Sequence, residues 1–404
     1  MKNKFLTFAS ALCRTGGQLL VIILMARMFD PSTFGAFVLY LAIGNLLLIL
    51  GTFGTDTSGL RTLAAAGDRI RVEFRHLISF RLKMSAIVLV VAGIVAAFFL
   101  PIDRLMLLAV SFAIALSFST LDFFFAPLRA TLSYETEFIV AGTSSLAVVG
   151  AILTANVLSL GILETALLYF VGVCASLGIA YGAWRNVVRS NRFEDQKCEK
   201  KSFLGQLREN RLYTVDGFLS SAINQLDTIL VAALLGQVAA GLYQFPAKVM
   251  KTGVIIVQIA TAIYMPLLAR AESVSRQDAL YRRMTSELIL LGFMAGLGIS
   301  IIMPMATPLI LEGDYEIEGY TWAAFGVALA MRLFAASPGI MLVFQNRPGI
   351  RVIGQAVILG VFCLSMLLVA RPFGLTGVAL SFGIAMLFAA FYYHWRVKKL
   401  ASDS

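Results

Sequence analysis

Five ionisable side chains stand where the surrounding sequence offers no polar company. Arg14, Lys248, Lys251 and Arg332 each lie inside a continuous apolar run, and Asp227 lies inside another. A charge held in the middle of a bilayer is costly, so a side chain kept there is a candidate for handling a substrate or an ion. Measured from the membrane face at which each run begins, the helical rise places Arg14 at about 14 Å, Lys248 at about 12 Å, Arg332 at about 18 Å and Asp227 at about 21 Å. Lys251 is one turn deeper than Lys248 and on the same helix face. Asp56 and Asp216 come out within about 5 Å of the boundary and Asp122 at about 9 Å, and all three stay outside the set. The deep set is therefore cationic, and a cationic interior attracts an anion. Two Lys one turn apart and two guanidinium groups suit phosphate oxygens, by charge and by hydrogen-bond geometry. Gln18, one turn above Arg14, and Gln244, one turn above Lys248, extend the polar faces. Pro246 predicts a bend and a freed carbonyl in the run that carries the two lysines. Two plainer roles compete: a long basic side chain can snorkel to the interface, Lys248 most readily, and Asp227 can pair with one cation. One acid cannot neutralise four cations, which favours a binding role for the group.

The elements that must position these residues follow from composition. The chain has 404 residues, of which 59% are apolar and only 14% charged, with a mean hydropathy of +0.84. Soluble domains have about 45–50% apolar and about 25% charged residues. An integral membrane protein is expected, all-α rather than a β-barrel, because the apolar runs are continuous instead of alternating. Counting them gives twelve transmembrane helices, at 5–28, 34–56, 82–101, 105–128, 137–157, 161–184, 213–236, 240–266, 284–310, 320–345, 349–370 and 373–395. The start, Met1-Lys2-Asn3-Lys4, is read as leading into the first span rather than into a cleaved signal. If the N-terminus is cytoplasmic, most of the 33 Lys and Arg fall in cytoplasmic segments, against Arg27, Arg104 and Arg371 on the other side. This bias predicts cytoplasmic N- and C-termini and accounts for the net charge of +10 without nucleic acid as a partner.

The longest polar stretch, 185–212, divides the spans into two sets of six. The expected layout is an N-terminal bundle (1–184), a basic cytoplasmic linker (185–212), a C-terminal bundle (213–395) and a cytoplasmic tail (396–404). Ala26–Gly35 aligns without gaps on Ala232–Gly241: a span ends, a tight turn follows, and small residues with Gly open the next span. An even number of spans per half gives both halves the same orientation, so the repeat is parallel and predicts a binding site between the halves near the midplane.

Other features carry less. Cys13, Cys174, Cys198 and Cys363 are too dispersed for a disulfide framework or a metal knot. His76 and His394 read as interfacial, and the acidic stretch at 311–319 as a solvated loop. Gly292-Phe293-Met294-Ala295-Gly296 fits a small-residue helix contact, but with 33 Gly such a match is expected by chance. Arg69–Lys83 interleaves basic residues with Phe74, Leu77, Ile78 and Phe80, which predicts an amphipathic interfacial helix against anionic lipid. No phosphate-binding loop, dinucleotide turn or zinc-protease motif is present, so no cofactor, metal or catalytic residue is expected.

The segment Ala26-Arg27-Met28-Phe29-Asp30-Pro31-Ser32-Thr33-Phe34-Gly35-Ala36-Phe37 resembles the first outer loop of polysaccharide and O-antigen flippases, the Wzx-type transporters of the multidrug/oligosaccharidyl-lipid/polysaccharide superfamily. Gly51–Arg61 is similar to the end of that family's second span. Asp227 through Gly241-Leu242-Tyr243 to Lys248 resembles its Asp, Gly-x-Tyr and basic pattern. The resemblance implies a V-shaped pair of bundles alternating between inward- and outward-facing states. It also implies a substrate carried on undecaprenyl pyrophosphate, an O-antigen, capsule or exopolysaccharide repeat unit made for export from the bacterial inner membrane. Arg14 and Lys248/Lys251 match the positions whose cations hold the pyrophosphate in related lipid flippases. Arg332, Arg61 and Gln18 complete the expected substrate-binding set, and Asp227 is the expected ion-coupling residue. Membrane lipids, a polysaccharide polymerase and a chain-length regulator are the expected partners. The competing reading is an ion-coupled drug exporter of the same superfamily, which calls for interior acids in excess. A membrane-embedded polysaccharide ligase or polymerase calls for a long outer loop, which this chain lacks.

Overall fold

The computed structural model describes residues 2–55, 59, 62–63, 66–190, 203–269, 271, 273–311, 315–345 and 348–402. Among them there is no β-strand, and the apolar runs form α-helices. These are α1 (Lys2–Met28), α2 (Pro31–Thr52), α3 (Ile70–Ala97), α4 (Ile102–Ala130), α5 (Tyr134–Val157), α6 (Ile162–Ser190) and α7 (Phe203–Leu235). After them come α8 (Gln237–Thr252), α9 (Ile255–Ala269), α10 (Val274–Ile310), α11 (Gly319–Phe344), α12 (Pro348–Ser365) and α13 (Arg371–Ser402). Among the described residues, 11 helical stretches are long and apolar enough to cross a membrane. Each of the twelve expected spans falls in one of them, because 349–370 and 373–395 share the stretch Val352–Lys399. A π-helical turn at Met366–Ala370 and a non-helical Gly374 mark the division between those two. Outward-facing side chains such as Phe98 (82% exposed) and Leu309 (81%) give the helices an apolar exterior suited to lipid rather than water. The chain is a multi-pass, all-α membrane protein.

Three boundaries differ from expectation in ways that bear on the site. First, α3 begins at Ile70 rather than 82, so the basic stretch 69–83 is not a separate interfacial helix but the first turns of a spanning one. Second, α6 continues to Ser190 and α7 begins at Phe203, so the expected linker 185–212 is helical at both ends. Third, the expected span 240–266 is two helices. The amides of Gly253, Val254 and Ile256 bond to the carbonyls of Met250, Lys251 and Gly253, three residues back, at 3.1–3.2 Å. This tight winding interrupts the span just after Lys251, and not at Pro246, which is buried inside α8.

The chain divides into two compact units: Met1–Phe29 with Ala36–Leu226, and Asp30–Gly35 with Asp227–Ser404. In the first, α1 packs on α5, and α6 packs on α4 and α5. Its core is aromatic at one end: Phe74 stacks on Phe123 with ring centroids 5.5 Å apart and meets Phe124 and Trp184 edge-on at 5.1 and 5.3 Å. In the second, α11 packs on α10 and α13. The α10–α11 crossing is close because it is built from glycine. A Cβ on Gly296 would press on the Gly326 carbonyl, and one on Gly326 would collide with the Gly296 carbonyl. The small-residue pattern discounted in the sequence as chance is thus a true helix contact.

The aligned decapeptides meet inside this second unit. A Cβ on Gly35 would collide with the Gln237 carbonyl, and one on Gly241 with the Pro31 carbonyl. Gly35 aligns with Gly241 and Pro31 with Gln237, so the contact between the aligned positions is reciprocal. Asp30 fixes the start of α2. Its carboxylate accepts the Ser32 and Thr33 amides at 3.0 Å each, with Pro31 in the first helical position. Those hydrogen bonds, Thr33's foremost, hold the Asp30 carboxyl below its ordinary range.

Candidate functional site

In the second unit the site grows from the turn between α7 and α8. Gly236, at φ 93°, ends one helix and opens the next, so the two run back along each other. Residues sixteen apart then face each other across the hairpin. Tyr243 donates its hydroxyl to Asp227 Oδ2 at 2.8 Å, and Gln244 Nε2 donates to Thr228 Oγ1 at 2.8 Å. Two turns further along α8, Lys251 Nζ reaches the same Oδ2 at 2.6 Å. The other carboxylate oxygen accepts the Thr228 amide at 2.7 Å and its hydroxyl at 3.3 Å. Asp227 has no solvent exposure, whereas the Lys251 side chain keeps 25% of its own. Arg332, on α11, is near enough to feel the charge of Asp227, and its guanidinium lies 5.4 Å from the centre of the Phe382 ring. The structure therefore brings Asp227, Lys251 and Arg332 together. Lys248 sits half-buried one turn earlier on α8. Tyr243, which seals the carboxylate, was absent from the expected site.

In the first unit, Arg14 on α1 pairs with Asp122 on α4 at 2.6 Å. Its guanidinium lies 4.6 Å from the centre of the Phe125 ring, and its Nε is buried with no hydrogen-bond partner among the described residues. Gln18 and Ser145 share with them a cavity of about 20 Å³, room for about one water. Asp122 was placed near the membrane boundary from its position in the sequence. The structure instead pairs it with Arg14 across α1 and α4. No local signal announces this pair, whose members are 108 residues apart.

Two more buried charges went unread. Arg81, counted with the cytoplasmic loop, has no exposure. It donates to Thr55 Oγ1 at 3.4 Å and to Ser119 Oγ, and lies 5.2 Å from the centre of the Phe123 ring. The continuity of α3 through the basic stretch is the signal that would have found it. Glu137, equally buried, accepts from Arg129 Nη2 at 2.7 Å and from Ser10 Oγ at 3.2 Å. Of the remaining expected residues, Arg61 lies outside the described residues. Among the described residues, no three His, Cys, Asp or Glu side chains form a group that could hold a metal ion.

Chemically, both sites have one form. A carboxylate, buried at Asp227 and exposed at Asp122, holds a basic side chain that remains a quarter exposed, Lys251 in one and Arg14 in the other. Each basic group has donors beyond the one its acid occupies, and an anion arriving from the exposed side can compete for it.

Residues 1–272 match the family model described as polysaccharide biosynthesis protein. No curated protein sequence matches the chain. Among solved structures, a MATE transporter from Vibrio cholerae is similar at a TM-score of 0.70 and 12% identity, over 100% of this chain and 96% of that one. The lipid II flippase MurJ, in an inward closed conformation, is similar at a TM-score of 0.64 and 11% identity, over 98% and 87%. A MOP superfamily transporter from Pyrococcus furiosus, described as having a binding pocket of reverse polarity, gives 0.63 and 14%, over 99% and 94%. At these identities the likeness establishes the fold, that of the MOP superfamily transporters.

Proposed function

Because the chain belongs to the polysaccharide biosynthesis protein family, we propose that it is a flippase for an undecaprenyl-pyrophosphate-linked oligosaccharide. The sugar head would cross from the cytoplasmic to the periplasmic leaflet of a bacterial inner membrane while the prenyl tail stays in lipid. The observation that carries the reading is the excess of cations at depth: Arg14, Lys248, Lys251 and Arg332 against Asp122 and Asp227. In this reading phosphate takes basic donors within each unit, Arg14 with Gln18 in the first and Lys251 with Lys248 and Arg332 in the second, and Arg61 belongs to the same substrate-binding set. Phosphate and Asp227 compete for the Lys251 ammonium. When phosphate wins, Asp227 keeps Tyr243 and Thr228 and becomes free to take up a coupling ion. Release of the substrate restores the Lys251–Asp227 pair and resets the carrier. Both termini would be cytoplasmic, with six-helix bundles at 1–184 and 213–395. A polymerase and a chain-length regulator would act on the product at the outer face.

The test is transport in proteoliposomes of a fluorescent polyprenyl-pyrophosphate oligosaccharide, wild type against Arg14→Ala and Lys251→Ala. Flipping by the wild type, reduced at least tenfold in both variants, supports the proposal. Wild-type flipping that Arg14→Ala leaves intact removes the anion-cradle mechanism. A wild type that ignores the lipid and exports cationic dyes belongs with the drug exporters.

A further inference from the structure

The first unit holds a second cationic site, separate from Arg14. A groove of about 1010 Å³ lies among α3, α4 and α6, at the upper end of the roughly 300–1,000 Å³ usual for small-molecule pockets. Four guanidinium groups stand at one end, Arg71 and Arg75 on α3 and Arg185 and Arg189 on α6. Among the described residues that line it there is no carboxylate. The helices run antiparallel here: α3 begins, and α6 ends, in its pair of arginines. Both pairs therefore sit at the same end of the unit, one on each wall.

Below the arginines the walls become apolar. Along α3 the groove-facing positions are Arg71, Arg75, Ile78 and Leu82, a helical stripe of about 16 Å that changes from charged to aliphatic. Along α6, Arg189 and Arg185 give way to Tyr181 and Leu177. Phe124 of α4 closes the back. Tyr181, exposed on the groove wall, marks the change of polarity, where an aromatic ring with one polar edge settles at the headgroup level of a membrane. A soluble anion would use the arginines and leave the apolar length empty. A neutral lipid would use the apolar length and bring no negative charge to the arginine end.

We propose that this groove is a binding site for an anionic phospholipid of the surrounding leaflet. Its phosphate sits between the arginine pairs and one acyl chain lies along Ile78, Leu82 and Leu177. The lipid enters sideways from the bilayer, since Leu82 and Tyr181 are 46% and 58% exposed. Bound there, it ties the start of α3 to the end of α6 by charge-assisted hydrogen bonds.

The test uses the full chain, purified and delipidated in detergent, with dioctanoyl phosphatidylglycerol, dioctanoyl phosphatidylcholine and farnesyl diphosphate as probes. Affinity is read by ligand-dependent thermal shift and by native mass spectrometry. The phosphatidylglycerol probe should bind at least tenfold more tightly than the phosphatidylcholine probe. R71Q/R75Q and R185Q/R189Q should each erase the difference. Gly178→Phe provides a variant that keeps all four charges. A Cβ at Gly178, which lines the groove, meets nothing within 4 Å, so the ring fills the apolar length and should weaken the phosphatidylglycerol probe by a similar factor. Equal binding of the two glycerophospholipids, or undiminished phosphatidylglycerol binding by the quadruple Arg→Gln protein, overturns the site. Binding of farnesyl diphosphate alone overturns the phospholipid assignment in favour of a prenyl-diphosphate. None of these readouts requires flipping, so this proposal and the transport proposal can fail separately.

Discussion

The Asp227 carboxylate shows how one residue sets the chemistry around it. Every oxygen of this side chain is engaged, and one of its partners is a full positive charge. Removing that partner strands a buried charge, which costs about 3–5 kcal/mol where a pair is fully buried and less where, as for Lys251, one member is part exposed. Lys251→Ala should therefore lower the unfolding midpoint more than Lys251→Ala combined with Asp227→Asn, as measured by thermal unfolding in detergent. Equal midpoints would mean that the pair adds nothing to the stability of the fold. Tyr243→Phe removes a hydrogen bond to a charged acceptor, worth about 1.5–3 kcal/mol, and should destabilise without changing the charge. Asp30 belongs to the same scale but lies at the surface. Its carboxyl is held below the ordinary range, so its contribution is complete above the unfolded value of about 3.9 and is lost as pH falls through the lower folded value. Asp30→Ala should cost about 1 kcal/mol at neutral pH, and the difference from wild type should vanish in acid unfolding curves.

At the scale of elements, close helix approach depends on missing side chains. Gly296 and Gly326 each face the other's backbone across the α10–α11 crossing. Gly326→Val should force the helices apart and yield a protein that aggregates on size exclusion. Gly298→Val is its control, since a Cβ there meets nothing within 4 Å. It changes only the helix propensity, by a few tenths of a kcal/mol in favour of Val, and should stay monodisperse. The interruption at Gly253 follows Lys251 directly, so the tight winding sets where the α8 stem ends and its ammonium begins to reach solvent. Sequence reasoning placed the irregularity at Pro246, because proline advertises itself. The residues around Gly253 carry no comparable sign, and their winding is set by packing, with the Leu329 side chain within 2.8 Å of where a Gly253 Cβ would stand.

At the scale of the whole molecule, the bias of Lys and Arg predicts that both ends of the chain face the cytoplasm. A green fluorescent protein fused after Ser404 should fluoresce, and an alkaline phosphatase inserted in the 311–319 loop should be active. The opposite pattern would reverse the orientation and put the arginine groove in the outer leaflet. Two compact units are present, but their borders do not follow the polar stretch at 185–212. Asp30–Gly35 clusters with the second unit, and residues up to Leu226 with the first. Packing in space draws that division.

By itself the sequence determined the class, a set of about a dozen apolar spans and the presence of charges within some of them. Apolar runs of about twenty residues have one low-energy form in lipid, the helix, because it alone satisfies every backbone group within the segment. A charge inside such a run is visible wherever it stands, so Arg14, Lys251, Arg332 and Asp227 could be named without coordinates. Only the tertiary structure decided which charge meets which. The Arg14–Asp122 pair, the burial of Arg81 and Glu137, and the four arginines of the lateral groove join residues from different helices. No periodicity within one helix encodes the rotation and depth of its neighbour. These follow from how glycine crossings and aromatic cores let the helices settle, which is a property of the packed molecule.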